Sequence, residues 1–125
     1  MIKVKATREG LVGGKTSSGW VIDEEFPFVA LPSVKAIGHW VRIYNPLNGK
    51  MCCAQVRDVG PFNTDDDKYV FGGERPLSEH GISISGKGTN HAGIDLGEAV
   101  WNLLGMKDNT DVYWEMIPVT ILHVS

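Results

Sequence analysis

A predicted β-hairpin over residues 40–59 constrains the fold of this chain more than any other feature. Residues 40–44 alternate between apolar and polar side chains, a pattern typical of a strand. The sequence Asn-Pro-Leu-Asn-Gly at 45–49 is a strong turn signal, so we expect residues 50–59 to pair back as a second strand. The 15 glycines and 6 prolines of the chain indicate further short strands and tight turns.

Three other segments are predicted to be strands. Residues 2–7 alternate between apolar and polar side chains, and 26–31 form a short apolar run that we expect to be buried. Residues 111–117 form a last strand, which Pro118 ends, and a short apolar tail follows it. Residues 10–19, rich in glycine and serine, are expected to form a loop.

One helix is predicted late in the chain. Its apolar stripe at helical spacing consists of Leu96, Ala99, Val100, Leu103 and Leu104. Asp95 occupies the N-cap position and Glu98 the third helical position, as in a capping box, and Gly105 can supply the left-handed residue that ends the helix. The sequence therefore predicts a mostly-β fold with one short helix, and its 125 residues fit a single domain over 1–125.

Residues 60–93 form a long segment with few periodic features. The segment is rich in Gly, Asp, Ser and Pro. A loop of this length inside a compact domain is usually functional, or passes around a site.

Charge and composition exclude several classes of function. The net charge is −3 and no cluster of Lys and Arg exceeds a scattered pair, so nucleic acid is not predicted as a partner. The N-terminal residues lack the apolar region and cleavage site of a signal peptide, and no later segment is apolar enough to insert into a membrane. As written, the chain is expected to stay inside the cell, unless it is trimmed or leaves by another route.

The cysteine, histidine and acidic patterns predict neither a disulfide framework nor a metal site. Cys52 and Cys53 are neighbours on a strand and point to opposite faces, so we expect two reduced thiols. The acidic run 65–67 lacks the alternating ligands and the glycine of a calcium loop. No zinc-ligand spacing relates His39, His80 and His123. The expectation is therefore that no metal and no cofactor takes part.

Asp58 is the first candidate for chemistry. It continues the apolar strand face of Ala54 and Val56 and ends that face just before Gly60-Pro61. A carboxylate at the edge of a core is partly desolvated, which raises its pKa and makes it a usable general acid near neutral pH. The alternative is that Asp58 caps the turn through backbone N–H groups, and spacing alone favours this alternative.

Asp95 and His91 also have two interpretations each. Asp95 is explained as the helix cap, although a capping carboxylate can also face a cleft. His91 lies four residues before it and can bind a sugar or tune a neighbouring carboxylate, although a single loop histidine is more often solvated. Candidates for stacking on a sugar ring, most of them expected in the core, are Trp20, Trp40, Tyr44, Phe62 and Tyr69.

Four motifs, in the same order, resemble those of the rare lipoprotein A family. Residues 56–62, VRDVGPF, resemble its V-x-D-R-G-P-F signature, and residues 94–105, IDLGEAVWNLLG, resemble I-D-L-S-x-x-A-A-x-x-L-G. Upstream, Gly38 with VRIYN at 41–45 and NG at 48–49 resembles G-T-x-V-x-V-T-N-x-x-N-G, and KTSSG at 15–19 resembles K-T-A-N-G. The resemblance extends from about Lys15 to Ile117, and four motifs in register are specific for the fold.

The resemblance implies a six-stranded double-psi β-barrel, which expansins, related endoglucanases and the barrel of membrane-bound lytic transglycosylase A share. Rare lipoprotein A enzymes cleave peptidoglycan glycan strands without hydrolysis, and their catalytic aspartate falls on Asp58. In the expansin group a second aspartate follows an H-F-D-L pattern, to which Asp95-Leu96 is similar. The family's glutamate falls on Trp20, and its histidine falls on Leu31 or Pro32, so two of three site residues are replaced.

These expectations leave the function open between an enzyme and a binding module. As a lytic transglycosylase-like enzyme, the chain would use Asp58 as general acid and base and Asp95 to stabilise an oxocarbenium-like transition state. Trp20, Phe62 and His91 would then contact the glycan. The alternative is a non-catalytic, expansin-like module that binds peptidoglycan or another polysaccharide. A phage-encoded lysis or tail component is a further alternative, which would explain the missing signal peptide.

Overall fold

The described part of the chain, residues 1–118, forms a closed β-barrel in the computed structural model. The apolar tail and His123 considered above lie outside these residues. The strands are β1 (Ile2–Arg8), β2 (Phe28–Leu31), β3 (Trp40–Tyr44), β4 (Met51–Val59), β5 (Ile94–Leu96) and β6 (Asp111–Met116). Around the barrel they follow the order β1-β5-β2-β4-β3-β6, which confirms the expected six-stranded, mostly-β fold.

The predicted hairpin over 40–59 is confirmed. Strands β3 and β4 pair antiparallel, and the N–H of Asn45 donates to the carbonyl of Lys50 across the turn, at 2.8 Å. Gly49 adopts a φ of 75°, a left-handed conformation that glycine accommodates without steric strain. By contrast, the pairs β1–β5 and β2–β4 are parallel, so they join strands that are distant in sequence.

Within residues 1–118, two short α-helices and two 3₁₀-helices connect the strands. They are α1 (Asp67–Val70), α2 (Glu98–Leu103) and the 3₁₀ segments Val34–Ala36 and Leu77–His80. The sequence predicts only the helix near 95–104, because a four-residue helix such as α1 is too short to show a periodic pattern. α1 contributes Tyr69 and Val70 to the barrel core, so the segment 60–93 has a structural role.

The start predicted for the late helix is wrong. Asp95 lies in the middle of β5, which pairs with both β1 and β2, so it is not a helix cap. Gly97 holds the N-cap position and Glu98 is the first helical residue. The reason is that Ile94 and Leu96 are fully buried in the core while Asp95 between them points the other way, as in a strand. Three residues are too few for this alternation to be recognised in the sequence.

Gly97 allows the chain to turn from β5 into α2 directly against β2. A Cβ atom at this position would overlap the ring of Phe28, which is itself fully buried, so a side chain has no room here. The N–H of Gly97 also donates to the carbonyl of Phe28, at 3.0 Å. This close contact holds β5, and with it Asp95, beside β2.

A tyrosine network lies within the core and consists of Tyr69, Trp114 and the carbonyl of Gly93. The two rings pack edge to face with centroids 5.7 Å apart. The Tyr69 hydroxyl donates to the Gly93 carbonyl at 2.7 Å and accepts from Trp114 Nε1 at 2.8 Å. Tyr69, a sequence candidate for sugar stacking, is therefore a core residue.

Candidate functional site

A bulge in β4 decides where Asp58 points. Val29 of β2 pairs with Val56, but the next residue, Ala30, pairs with Asp58, so Arg57 is an extra residue in β4. Val29 and Val56 belong to the core, whereas Ala30 and Asp58 lie one step further along the shifted register, on the outer face. The expectation that Asp58 continues the inward face of Val56 is therefore wrong, and the bulge is the reason.

The outer face of four adjacent strands carries a row of aligned residues. Ala30 of β2 pairs with Asp58 of β4 on one side and with Asp95 of β5 on the other, and Asp95 pairs with Thr7 of β1. The two aspartates are thus two strand spacings apart, about 10 Å between their backbones, with a small side chain between them. Gly60 approaches the same place, since a Cβ atom there would lie 3.7 Å from Asp95 Oδ2.

The carboxylate of Asp58 is held by hydrogen bonds to one of its oxygens. Oδ1 accepts from the Ser17 N–H at 2.9 Å, from the Ser17 hydroxyl at 2.8 Å and from the Val59 N–H at 2.8 Å. Burial acts to raise the pKa of Asp58, but hydrogen bonds from Glu9, Ser17 and Val59 outweigh it and lower the pKa below its usual value. The expected rise of this pKa is therefore wrong. Asp58 does accept hydrogen bonds from backbone N–H groups, as the alternative expected, and these belong to Ser17 and Val59.

Asp95 has the opposite electrostatic character. Burial is the main influence and raises the pKa of Asp95 to about 6, although a hydrogen bond from the Thr7 hydroxyl acts against it. The charge of Asp58 raises the Asp95 pKa further. Two carboxyl groups on one outer face thus have pKa values displaced in opposite directions.

Glu9 is a third acid at this place, which the sequence analysis missed. It directly follows β1, where its N–H donates to the Leu96 carbonyl at 2.8 Å. Its carboxyl group lies beside that of Asp58, close enough to bond it when one of the two carries a proton, and its Oε2 atom is buried without an N–H or hydroxyl donor among the described residues. Burial, the hydrogen bond with Asp58 and the charges of Asp58 and Asp95 raise the pKa of Glu9 to about 9. We call Glu9, Asp58 and Asp95 the carboxyl cluster.

A signal for Glu9 did exist in the sequence. Thr7 and Glu9 are two residues apart, so in an extended chain they point to the same, outward face as Asp95 does. The predicted strand ends at residue 7, whereas β1 extends to Arg8 and its neighbour Glu9 still bonds β5. Extending the alternation by one step would have placed Glu9 beside the row.

Trp20 lies next to the carboxyl cluster in an aromatic group. Its ring packs edge-on against Phe28 at 4.9 Å and Phe26 at 5.5 Å between centroids, and Phe26 is 6.3 Å from Trp40. The guanidinium of Arg57 lies over the rings of Trp20 and Phe26, 5.2 and 4.8 Å from their centroids. Because Arg57 immediately precedes Asp58, the aromatic group of Trp20, Phe26 and Trp40 borders the cluster.

Phe62 and His91, the other two predicted glycan contacts, lie in different surroundings. Phe62 follows the cis Gly60-Pro61 bond and is 44% exposed, close to the cluster along the chain. His91 bonds the Glu79 carbonyl through Nδ1 at 2.9 Å and lines a hollow with Lys5 and Asp111. None of the three cluster carboxyl groups lines that hollow, so His91 is not brought to the cluster.

Metal ligation, thiol chemistry and membrane insertion each depend on features that can be read from the described residues. Within residues 1–118, no three or more His, Cys, Asp or Glu side chains form a group that could hold a metal ion. Cys52 and Cys53 are free thiols, as expected. Over the same residues, the helices are all too short or too polar to cross a membrane.

Residues 1–77 match the model of a family described as "Domain of unknown function (DUF8814)". The chain belongs to this family. The match covers β1 to β4 and α1, so it includes Glu9 and Asp58 but not Asp95. No curated protein matches this DUF8814 chain.

Two solved structures show the fold of the DUF8814 chain to be a double-psi β-barrel. The Streptomyces papain inhibitor superposes with a TM-score of 0.54 at 17% identity, over 94% of each chain. A point mutant of the Clavibacter michiganensis expansin, solved in complex with cellohexaose, superposes with a TM-score of 0.52 at 16% identity. The DUF8814 chain is covered to 94% but spans only 51% of that expansin chain.

Proposed function

We propose that this DUF8814 chain binds glycan strands on the outer face of its barrel and cleaves them with the carboxyl cluster. The observation that carries the proposal is the alignment of Asp58 and Asp95 on one face with pKa values displaced in opposite directions. Environments that separate the pKa values of two acids assign them different roles. Glycosidic bond cleavage uses such a pair of carboxyl groups.

The proposed reaction needs no water. Asp58, whose own pKa is lowered, takes a proton from the neutral carboxyl group of Glu9 and delivers it to the glycosidic oxygen while the C1–O bond breaks. The C6 hydroxyl of the same sugar then bonds to C1, and its proton returns to Asp58, so that a 1,6-anhydro ring closes. Asp95, which is ionised above pH about 6, stabilises the positive charge that develops at C1.

The aromatic group supports a polysaccharide as the ligand. Trp20, Phe26 and Trp40 are each partly exposed and follow one another across the surface beside the cluster. Aromatic rings supply large contact area for the apolar faces of sugars at low entropic cost. The fold relative from Clavibacter michiganensis was solved with cellohexaose, and the motif resemblance to rare lipoprotein A points to peptidoglycan in particular.

The alternative is a module that binds glycan without cleaving it. The family histidine position falls on Leu31 or Pro32, and both are buried, so neither offers an acid or base to a substrate. The family glutamate position is Trp20, whose ring packs on Phe26 and Phe28. These replacements favour binding alone, whereas the cluster favours cleavage.

Digestion of purified peptidoglycan tests the proposal. The protein is incubated with peptidoglycan, and in parallel with cellohexaose, and products are identified by mass spectrometry. We expect soluble peptidoglycan fragments that end in 1,6-anhydro sugars, with no gain of the mass of water. Binding in a co-sedimentation assay without any fragments would support the module instead, and neither binding nor cleavage of either glycan would contradict both functions.

A further inference from the structure

We infer that Glu9 and Asp58 share a single proton and work as one acid–base unit, in which Glu9 holds the proton and Asp58 passes it on. The catalytic part of this inference rests on the proposed function, whereas the sharing of the proton does not. Glu9 thereby supplies, from the end of β1, an acid that the resemblance would place at residue 20, where this chain has Trp20.

The backbone fixes Glu9 against Asp58. The Glu9 N–H is bonded to Leu96 of β5, and its carboxyl group contacts that of Asp58 on β4. Three donors already occupy Asp58 Oδ1, which leaves Oδ2 without any backbone or hydroxyl donor among the described residues. Two carboxyl groups can bond each other only if one of them carries a proton.

The charges around Glu9 favour the shared proton. Asp58 of β4 and Asp95 of β5 both face it and are negative when ionised. The arginines next to these acids in sequence are engaged elsewhere, because Arg8 is paired with Glu98 at 2.5 Å and Arg57 stacks on the aromatic group. A proton between Glu9 and Asp58 removes the repulsion between two partly buried carboxylates, as in other carboxyl pairs.

The cycle balances in protons. Asp58 gives the shared proton to the glycosidic oxygen as the C1–O bond breaks, which leaves both carboxylates briefly ionised. The proton of the C6 hydroxyl then restores the shared state as the anhydro ring closes. Since Oε2 of Glu9 is buried, Glu9 acts through Asp58 and is a positioning residue.

A carboxyl ¹³C NMR titration of the full chain tests the shared proton directly. In the wild type, we expect the Glu9 carboxyl carbon to stay protonated at pH 7 and to titrate near pH 9, with Asp58 titrating below its usual range. In Glu9→Gln the amide still donates to Asp58, so the fold is kept while the alkaline titration disappears. Titration of Glu9 near its ordinary pH of about 4.3 would overturn the inference.

The pH profile of glycan cleavage tests the acid–base unit. We expect Glu9→Gln to lose about 10²-fold or more of the cleavage rate at pH 7 and to lose the fall in rate that the wild type shows as pH approaches 9. Glu74→Gln, which removes an exposed carboxylate, is the matched control and should keep both rate and profile. An unchanged rate and pH profile in Glu9→Gln would overturn the inference that Glu9 and Asp58 act together. If the wild type cleaves no glycan, the proposed function fails, while the titration still decides whether the proton is shared.

Discussion

The tyrosine network and the carboxyl cluster both hold polar groups away from water, but they are built in opposite ways. In the tyrosine network the hydroxyl of Tyr69 both donates and accepts, to Gly93 and from Trp114, and every member is neutral. In the carboxyl cluster three acids come together from β4, from β5 and from the residue that follows β1, and Glu9 Oε2 has no N–H or hydroxyl donor among the described residues. The first arrangement satisfies buried polar atoms, whereas the second accumulates like charges.

The difference separates a structural feature from a functional one. A buried hydrogen bond whose partners are all present stabilises the fold, because losing a member leaves the others unsatisfied. Buried carboxyl groups that face one another reduce stability, and such groups are concentrated at functional sites. Removing the hydroxyl of Tyr69 should therefore destabilise the fold, whereas removing the charge of Asp95 should not.

The largest effect on stability is expected for Tyr69→Phe. The change leaves the Trp114 indole N–H and the Gly93 carbonyl without their partner in the core, which should lower the free energy of unfolding by about 2–4 kcal/mol. Urea unfolding of the two proteins measures the difference. Tyr113→Phe is the control, because that ring is partly exposed, and it should cost less than about 1 kcal/mol. Equal losses in both variants would mean that the network does not act as a unit.

Asp95→Asn should have a smaller effect of opposite sign, and only at higher pH. Because folding raises the Asp95 pKa from 3.8 to about 6, the folded state loses stability as pH rises between these values. Asn keeps an acceptor for Thr7 but does not ionise. At pH 8 the variant should therefore be more stable than the wild type by about 1–3 kcal/mol.

Urea unfolding at two pH values checks this prediction. At pH 4 the Asp95 carboxyl is mostly protonated in the folded state, so most of the advantage of Asp95→Asn should vanish. A variant that is less stable than the wild type at pH 8 would show that Asp95 stabilises the fold, and would remove the contrast with the tyrosine network.

The fold was largely accessible from the sequence because its strongest signals are local. The hairpin of β3 and β4 has a clear alternation and a turn at 45–49, and the motif resemblance supplied the closed barrel. Strand β5 was not accessible, because three residues carry too little pattern and their partners β1 and β2 are distant in sequence. Leu96 fits the helical spacing of the apolar residues in α2, so the predicted helix began too early, inside β5.

The site was accessible only in part, for reasons that particular residues make clear. Asp58 and Asp95 follow from the motifs, but the outward orientation of Asp58 depends on the extra residue Arg57, which strand alternation does not reveal. The lowered pKa of Asp58 depends on Glu9 and on Ser17, a loop residue 41 positions away. Glu9 matches no family motif; it continues the alternation of β1, but its place beside the two aspartates depends on the pairing of β1 with β5, which the sequence does not reveal.

The most direct test of the account compares glycan cleavage by Asp58→Asn with that by Asp108→Asn, which neutralises an exposed carboxylate. Both are assayed on peptidoglycan at a temperature where each is folded, with co-sedimentation as the measure of binding. Asp58→Asn should lower the melting temperature slightly, because an amide accepts the Ser17 and Val59 hydrogen bonds less strongly than a carboxylate. Its cleavage rate should fall by about 10²–10⁴-fold with binding retained, while Asp108→Asn cleaves like the wild type. Cleavage by Asp58→Asn at the wild-type rate would contradict the central claim that the carboxyl cluster performs the chemistry.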